Sequence, residues 1–235
     1  MNRSFNIFTL IIIGILFSFS GCKDNDVTGV SIIPEICVLY VGESRDLTAI
    51  VSPDNADDKS VKWKINNIRP MDTINGQDVA SISDNGKVKG LAEGYAQAVC
   101  ITNNMFCEAQ AIIMVGYAVA VKGNYTGSLS ENGNVINTAA KIGIEHVSEY
   151  EARFNMPFLV ETDSVESCLV TVKKQDEKTM AFNGTNIIDI QGIMTPVQVN
   201  GRVSLDGMGD FEVILSTDPA VTKYTFFGTI DNRPF

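Results

Sequence analysis

The side chains best suited to catalysis are few in this sequence and do not form a known reactive motif. The chain has one histidine, His146, which follows Glu145 in a stretch with strand-like alternation. A general base needs a nucleophile or an orienting partner, and no serine or cysteine motif accompanies this residue. We therefore interpret His146 as a structural or surface residue, predict that the protein is not an enzyme, and expect no cofactor.

Carboxylates form two close pairs in the sequence, Glu149 with Glu151 and Asp206 with Asp210. Paired carboxylates hydrolyse glycosidic bonds when their separation in space is right, so a hydrolase stays as the least favoured alternative. Solvation of turns explains both pairs more simply. The acidic turn at 54–58 lacks the ligand spacing of a calcium loop, and we expect no metal site there.

The most specific chemical signal concerns Cys22. Residues 1–21 have the features of a secretory signal, in which Arg3 precedes an apolar run, Ile7 to Phe19, too short to span a bilayer permanently. The run ends at Phe19-Ser20-Gly21-Cys22, which resembles the lipobox of bacterial lipoproteins. This resemblance implies that Cys22 is acylated after residues 1–21 are removed, and that fatty chains hold the protein to a membrane.

Residues 22–28 form a polar tether behind that cysteine. The run Lys23-Asp24-Asn25-Asp26 is either a plain flexible linker or, by resemblance, the export signal of Bacteroidota-type surface lipoproteins. The second interpretation implies a lipid-anchored outer-membrane protein that faces the cell exterior. Thr73 and Ser164 each follow an aspartate in tripeptides that resemble the O-glycosylation acceptor of the same bacterial group.

The other cysteines have no spacing typical of zinc sites. Cys100 and Cys107 flank Asn103-Asn104, and a two-residue turn there would place the two thiols opposite each other across a hairpin. Because an exported location permits disulfides, we predict a Cys100–Cys107 bond. Cys37 is either an apolar core residue or an alternative partner, and we expect Cys168 to be a lone buried thiol.

Net charge narrows the range of partners. The chain carries 28 acidic and 18 basic residues, a net charge of -10, and the basic residues are not clustered. Such a chain repels phosphate backbones, so nucleic acid is not an expected partner.

Residues 29–116 alternate short apolar strands with turn residues, which predicts a β-sandwich. Trp63 shares its parity with Val61 and Ile65 and is expected in the core, and Asn85-Gly86 is typical of a hairpin turn. Ordered blocks throughout the segment resemble the group 2 bacterial immunoglobulin-like domain, among them Val41-Gly42-Glu43-Ser44, Val61-Lys62-Trp63, Asn85-Gly86-Lys87-Val88 and Gly94-Tyr95-Ala96. The stretch 66–78 is longer than that family usually has, and is either a binding insertion or a tolerated surface loop.

Residues 117–235 continue the strand pattern and predict a small antiparallel barrel or meander. Val119 and Val121 share a parity with Tyr125, and turns are expected at Asn183-Gly184 and Asn200-Gly201. The stretches GNYTG, VQVNGRVSLDG and YTFFGTI are similar to a calycin-like, lipocalin-shaped domain. That similarity implies an up-and-down barrel whose interior either accepts a ligand or is filled by its own side chains.

These observations predict an all-β chain with an immunoglobulin-like sandwich followed by a small barrel. The favoured function is that of a non-catalytic surface lipoprotein engaged in adhesion or in binding a glycan or a small apolar molecule. The alternative is a structural spacer or assembly component that binds other envelope proteins. The membrane is expected as a partner in either case, through the lipid anchor.

Overall fold

A computed structural model describes residues 25–68, 78–159, 166–190, 192–217 and 220–231. Within these residues a β-sandwich is followed by a closed antiparallel barrel of eight strands, which confirms the predicted all-β class. One short helix connects the two. In the part of the chain described, no helix is long and apolar enough to cross a membrane.

The sandwich contains nine of the described strands. They are β1 (Gly29–Ile33), β2 (Ile36–Leu39), β3 (Ser44–Asp46), β4 (Thr48–Ser52), β5 (Val61–Ile68), β6 (Ala80–Ile82), β7 (Lys87–Gly90), β8 (Gly94–Thr102) and β9 (Glu108–Val115). The largest sheet has the order β2-β9-β8-β5, a second has the order β3-β7-β6, and β1 pairs with β4. Strand β2 runs parallel to β9, so a strand near the start of the domain pairs with its last strand.

Period-two alternation places one face of each sandwich strand in the core. Trp63 packs against this core together with Val61 and Ile65, as their shared parity predicts. The predicted turn at Gly86 is also present, with φ of 82°. A Cβ at Gly86 would lie 2.7 Å from the Leu47 carbonyl oxygen and 3.1 Å from the Trp63 ring, so both backbone conformation and space require glycine there.

The barrel is built from the remaining eight strands. They are β10 (Gly123–Glu131), β11 (Asn134–Ser148), β12 (Glu151–Met156), β13 (Glu166–Lys174), β14 (Thr179–Ile190), β15 (Ile193–Ser204), β16 (Met208–Thr217) and β17 (Ala220–Ile230). Each strand pairs with the next, and β17 pairs with β10 to close the sheet. The predicted up-and-down barrel is therefore present, and closure leaves this sheet without an edge.

Two local predictions for this domain were wrong. Val119 and Val121 lie in a short helix, α1 (Tyr117–Val121), and not in a strand. Asn183-Gly184 and Asn200-Gly201 do not form turns. They lie inside β14 and β15, where Asn183 is the direct partner of Asn200 and Gly201 the partner of Phe182.

Candidate functional site

The barrel interior is filled by aromatic rings. Phe211 is at the centre, with its ring centroid 5.1 Å from that of Tyr125, 5.4 Å from Phe154, 5.5 Å from Phe182 and 5.3 Å from Phe226. All five side chains are buried. Of the two interpretations of the barrel, ligand cavity or packed core, the structure has the packed core.

Glycines in the wall make room for these rings. A Cβ on Gly201 would lie 2.3 Å from a Phe182 ring carbon and 2.9 Å from a Phe211 ring carbon. A Cβ on Gly209 would lie 2.5 Å from the Phe211 ring. These two glycines therefore sit in strands because the rings of Phe182 and Phe211 occupy the space that a side chain would need.

Both ends of the barrel are covered. At the end nearer the sandwich, residues Ala118 to Val121 of α1 are buried in the same hydrophobic cluster as the barrel core. The Tyr125 hydroxyl donates to the Val121 carbonyl at 2.6 Å and fixes the helix to the wall. At the far end, Phe158 packs on Tyr224 with ring centroids 5.1 Å apart, and both pack against the core.

The sandwich and the barrel share one hydrophobic core across their junction. Val38, Tyr95 and Met114, on the outward face of the large sandwich sheet, belong to the same buried cluster as the barrel interior. The buried Tyr95 hydroxyl donates to the Val119 carbonyl of α1 at 2.8 Å. A junction that is apolar and satisfies its buried hydroxyl resembles a domain interior more than a flexible linker.

Ion pairs surround this junction and involve the only histidine. His146 on β11 pairs through Nε2 with a carboxylate oxygen of Glu93 from the sandwich. Arg45 of the sandwich pairs with Glu177, in the turn after β13. The interpretation of His146 as a structural residue agrees with this placement, because it joins the two domains.

The carboxylates that suggested hydrolysis have structural contacts as well. Glu149 accepts a hydrogen bond from the Val41 backbone N–H across the junction, and Glu151 accepts one from the Ser148 hydroxyl at 3.1 Å. Asp210 pairs with Arg202 at 2.6 Å on the barrel surface. Among the residues in the described ranges, no three His, Cys, Asp or Glu side chains are grouped so as to hold a metal ion.

The predicted disulfide between Cys100 and Cys107 is not formed. Cys100 lies opposite Ala109, and Thr102 is the residue that bonds with Cys107 across the hairpin. The connecting turn has four residues, 103–106, instead of two, and this shifts the register away from the one that would join the thiols. Burial raises the pKa of the Cys100 thiol to about 11.

Cys37 and Cys168 are free and fully buried, each in a different core cluster, which confirms the expected lone thiol at Cys168 and gives Cys37 its apolar role. Burial raises the pKa of each of these thiols to about 11. The predicted modification sites at Cys22, Thr73 and Ser164 lie outside the described residues. Most of the long stretch 66–78 does too, although residues 66–68 continue β5.

The surface that stands out lies on the outer wall at the barrel end farther from the sandwich. Here the hairpins β14–β15 and β16–β17 turn back, whereas the turns after β11, β13 and β15 face the sandwich. We call the exposed apolar residues on this wall the distal face: Ile187, Met194, Pro196 and Val221.

Strand pairing brings these residues together. Ile187 is the direct partner of Pro196 across β14 and β15, and Val221 is the partner of Ser216 across β16 and β17. Ile187, Met194 and Val221 are 59%, 67% and 63% exposed. A shallow groove of about 580 Å³ runs beside Ile187 and Pro196 and is otherwise lined mainly by uncharged polar side chains. Asp189, the exposed strand partner of Met194, adds a charge at the edge of this face. Exposed apolar residues with a polar rim are typical of a surface for another molecule.

Sequence reasoning missed the distal face, although a signal was present. Successive residues of a strand point to opposite sides, so only one of two adjacent apolar residues can enter the barrel. The chain has such adjacent pairs at Ile187-Ile188 and Ile193-Met194. Ile188 is buried and Ile187 exposed, as this rule requires, whereas Ile193 and Met194, next to the turn at the end of the barrel, are both exposed.

Comparison with known proteins identifies the first domain. Residues 26–111 match the family model of the bacterial Ig-like domain, group 2, as their sequence blocks predict, and this part of the chain is such a domain. No curated protein matches the chain.

Two solved structures are distantly similar to the chain. One is a candidate outer membrane protein of Bacteroides fragilis, 12% identical, with a TM-score of 0.40 over 77% of this chain and 79% of that one. The other is a Bacteroides ovatus protein of unknown function, 11% identical, with a TM-score of 0.24 over 87% of this chain and 96% of that one. Similarities this distant carry no information about function.

Proposed function

We propose that this chain, which combines a group 2 bacterial Ig-like domain with a filled barrel, is a non-catalytic outer-membrane lipoprotein that binds a protein partner through the distal face. Acylated Cys22 holds it to the membrane, and the Ig-like domain serves as a stalk that faces the cell exterior. In this arrangement the barrel is an adhesive module at the tip.

One observation carries the proposal: large apolar side chains are exposed on the distal face of a barrel that is already closed and filled. Folding does not require Met194 or Val221 to be apolar, because the alternate residues of their strands, which point inward, form the barrel core. Exposed apolar residues that cluster on neighbouring strands indicate a partner surface, whereas scattered ones do not. The position at the end away from the sandwich leaves this surface free of the anchor.

The filled interior supports a protein partner over the other ligand classes considered from sequence. A small apolar molecule bound inside the barrel would need a cavity there, and that space is occupied by the rings around Phe211. A glycan surface usually offers exposed aromatic rings to the sugar faces, and the distal face carries aliphatic side chains instead. A protein with an exposed apolar segment fits this surface best.

Photo-cross-linking on intact cells tests this proposal. A photoreactive residue in place of Met194 is expected to capture a protein partner, and the same residue in place of Phe227, which is exposed elsewhere on the barrel wall, is not. Capture at Met194 should be lost when Ile187 is replaced by Asp. Equal capture from both positions, or none from either, would contradict a binding role for the distal face.

A second candidate function, an envelope spacer, is favoured by the junction between the domains. The shared core and the buried Tyr95–Val119 hydrogen bond join the two domains, as a spacer would require. The identity of the captured protein separates the two functions. A partner from the same cell envelope at constant stoichiometry supports the spacer, and a partner from outside the cell supports adhesion.

A further inference from the structure

The turn between β8 and β9 exposes two apolar side chains, and both residues have an unfavourable backbone conformation. Met105 and Phe106 are 56% and 79% exposed, and their φ angles are 55° and 52°. Bulky residues rarely adopt this left-handed region, in which asparagine or glycine would be less strained. Neither packing within the chain nor backbone preference explains Met and Phe at this tip. A contact with another molecule would explain why exposed apolar residues occupy it.

Hydrogen bonds brace the tip. The buried Thr102 hydroxyl donates to the Asn104 carbonyl at 2.8 Å and accepts from the Cys107 N–H at 2.9 Å. Asn103 is bonded to Ser60 through both its backbone N–H and its side chain, at 3.0 and 2.8 Å. Met105 and Phe106 are therefore presented by a braced turn, which lowers the entropy lost when they bind.

The same end of the molecule carries the start of the described chain. Asn25 exchanges two hydrogen bonds with Asp57, at 3.0 and 3.1 Å, in the loop that leads to Ser60. Cys22 precedes Asn25 by three residues, which span at most about 11 Å when extended. Strand β8 runs from the domain junction at Tyr95 to the tip, so Met105 and Phe106 lie at the end opposite the barrel.

We propose that Met105 and Phe106 insert into the lipid–water interface of the membrane that holds the acylated Cys22. This inference rests on the proposed lipid anchor. A bilayer tethered within about 11 Å of Asn25 faces this end of the sandwich, and aromatic and aliphatic side chains on a rigid turn are suited to the headgroup–acyl boundary. The second attachment point orients the stalk, so that the barrel and its distal face are directed away from the membrane.

The acidic side chains beside the tip determine which headgroup charge the test vesicles should have. Asp57 and Asp58 belong to the loop that braces the turn, with Asp58 bonded to Ser60 at 2.8 Å, and Glu108 follows the turn on β9. Lys59 is the one basic residue within that loop, between Asp57 and Ser60. Anionic headgroups would repel this surface, so zwitterionic vesicles of phosphatidylcholine and phosphatidylethanolamine are the appropriate probe.

Fluorescence quenching by brominated lipid tests the insertion. The native acylated chain carrying Phe106→Trp is reconstituted in vesicles whose phosphatidylcholine is brominated, and the Phe227→Trp chain serves as the matched control on the barrel wall. The inference predicts strong quenching and a blue shift for Phe106→Trp, with the control unchanged. Equal emission from the two chains, with acylation of Cys22 confirmed by mass spectrometry in the same sample, overturns the insertion and leaves the anchor intact. An unmodified Cys22 overturns both.

A partitioning measurement supplies a second readout. In the mature chain carrying Cys22→Ser, Phe106→Asn should weaken binding to zwitterionic vesicles about tenfold, the loss expected for one aromatic ring that is partly inserted. Asparagine tolerates the positive φ at this position, so the variant is expected to fold. The matched control, Phe227→Asn, should leave partitioning unchanged. Identical partitioning of the Phe106→Asn chain and its parent contradicts the inference. So does the finding that, on cells, Phe106 is covered by a protein instead of by lipid.

Discussion

Replacement of Phe211 by alanine is the sharpest test of the filled barrel. The side chain is 1% exposed and contacts four aromatic rings, with Phe226 stacked at an interplanar angle of 8° and Tyr125 and Phe154 edge-on. Buried Phe→Ala changes cost about 3–5 kcal/mol, and each aromatic pair adds roughly 0.5–1.5 kcal/mol beyond area burial. With rings on four sides, we expect a loss of about 4–5 kcal/mol in the free energy of unfolding.

The vacated space gives the same variant a second property. Removal of a phenyl ring from a closed apolar interior leaves a dry void roughly large enough for benzene. We therefore expect benzene to stabilise the Phe211→Ala chain and to leave the parent chain unchanged.

Urea denaturation with and without benzene measures both effects. Phe227→Ala is the control, since its side chain is 60% exposed on the outer wall and its loss should change stability by less than about 0.5 kcal/mol. A cost below about 1 kcal/mol for Phe211→Ala would refute the reasoning, as would stabilisation of the parent chain by benzene, because either result means that the interior has room for a ligand.

Four further predictions follow from particular contacts. Gly201→Ala should destabilise the chain by about 1–3 kcal/mol in urea, and Phe182→Leu in the same chain should recover part of that loss, because the added methyl collides with the Phe182 ring. In the native chain at pH 8, Ellman's reagent should label Cys107 rapidly and Cys37, Cys100 and Cys168 only after denaturation, because burial raises the pKa of these three thiols to about 11. A disulfide would instead lower the total number of thiols labelled after denaturation. Tyr95→Phe should cost about 1–2 kcal/mol in the same urea assay, since it leaves a buried carbonyl at the domain junction without its donor, and no change would mean that water reaches the junction. Burial, followed by the hydrogen bond to the Glu131 carboxylate, raises the pKa of Tyr224 to about 12. The free energy of unfolding is therefore expected to fall as the pH rises from about 10 through 12. In an ultraviolet titration, the Tyr224→Phe chain should lack the one tyrosine that ionises near pH 12.

The sequence predicted most where one local rule and the global fold agree. Trp63 shares its parity with Val61 and Ile65, and all three pack on the sandwich core. In β15 the alternation from Val197 to Val203 likewise places the valines inside the barrel. Half-buried strands impose this period directly, so it can be interpreted without knowledge of any distant contact.

The predictions failed where packing against residues far away in the sequence overrides the local preference of a segment. Asn200-Gly201 is a frequent turn pair, but here Gly201 is needed in mid-strand because the rings of Phe182 and Phe211 occupy the space of its side chain. Val119 has a strand-like parity with Val121, but the barrel end is closed by a helical turn. Such requirements depend on residues far away in the sequence, which no short window contains.

Similar reasons explain the partial prediction of the candidate sites. The disulfide was inferred from a two-residue turn at Asn103-Asn104, whereas the turn also includes Met105 and Phe106 and so shifts the register. The distal face depends on which of two adjacent apolar residues points outward, and that choice is made by the packing of the barrel core. The filled interior itself was foreseen only as one of two alternatives, because spacing does not reveal how rings meet across a barrel.

The proposed location and the proposed membrane contact of Met105 and Phe106 depend on the covalent state of Cys22, so the mass of the amino-terminal peptide of the native protein is the most direct measurement. The account predicts a peptide that begins at Cys22 and carries a diacylglyceryl group together with an amide-linked acyl chain. A peptide that retains residues 1–21, or one that begins near Cys22 with an unmodified thiol, would contradict it.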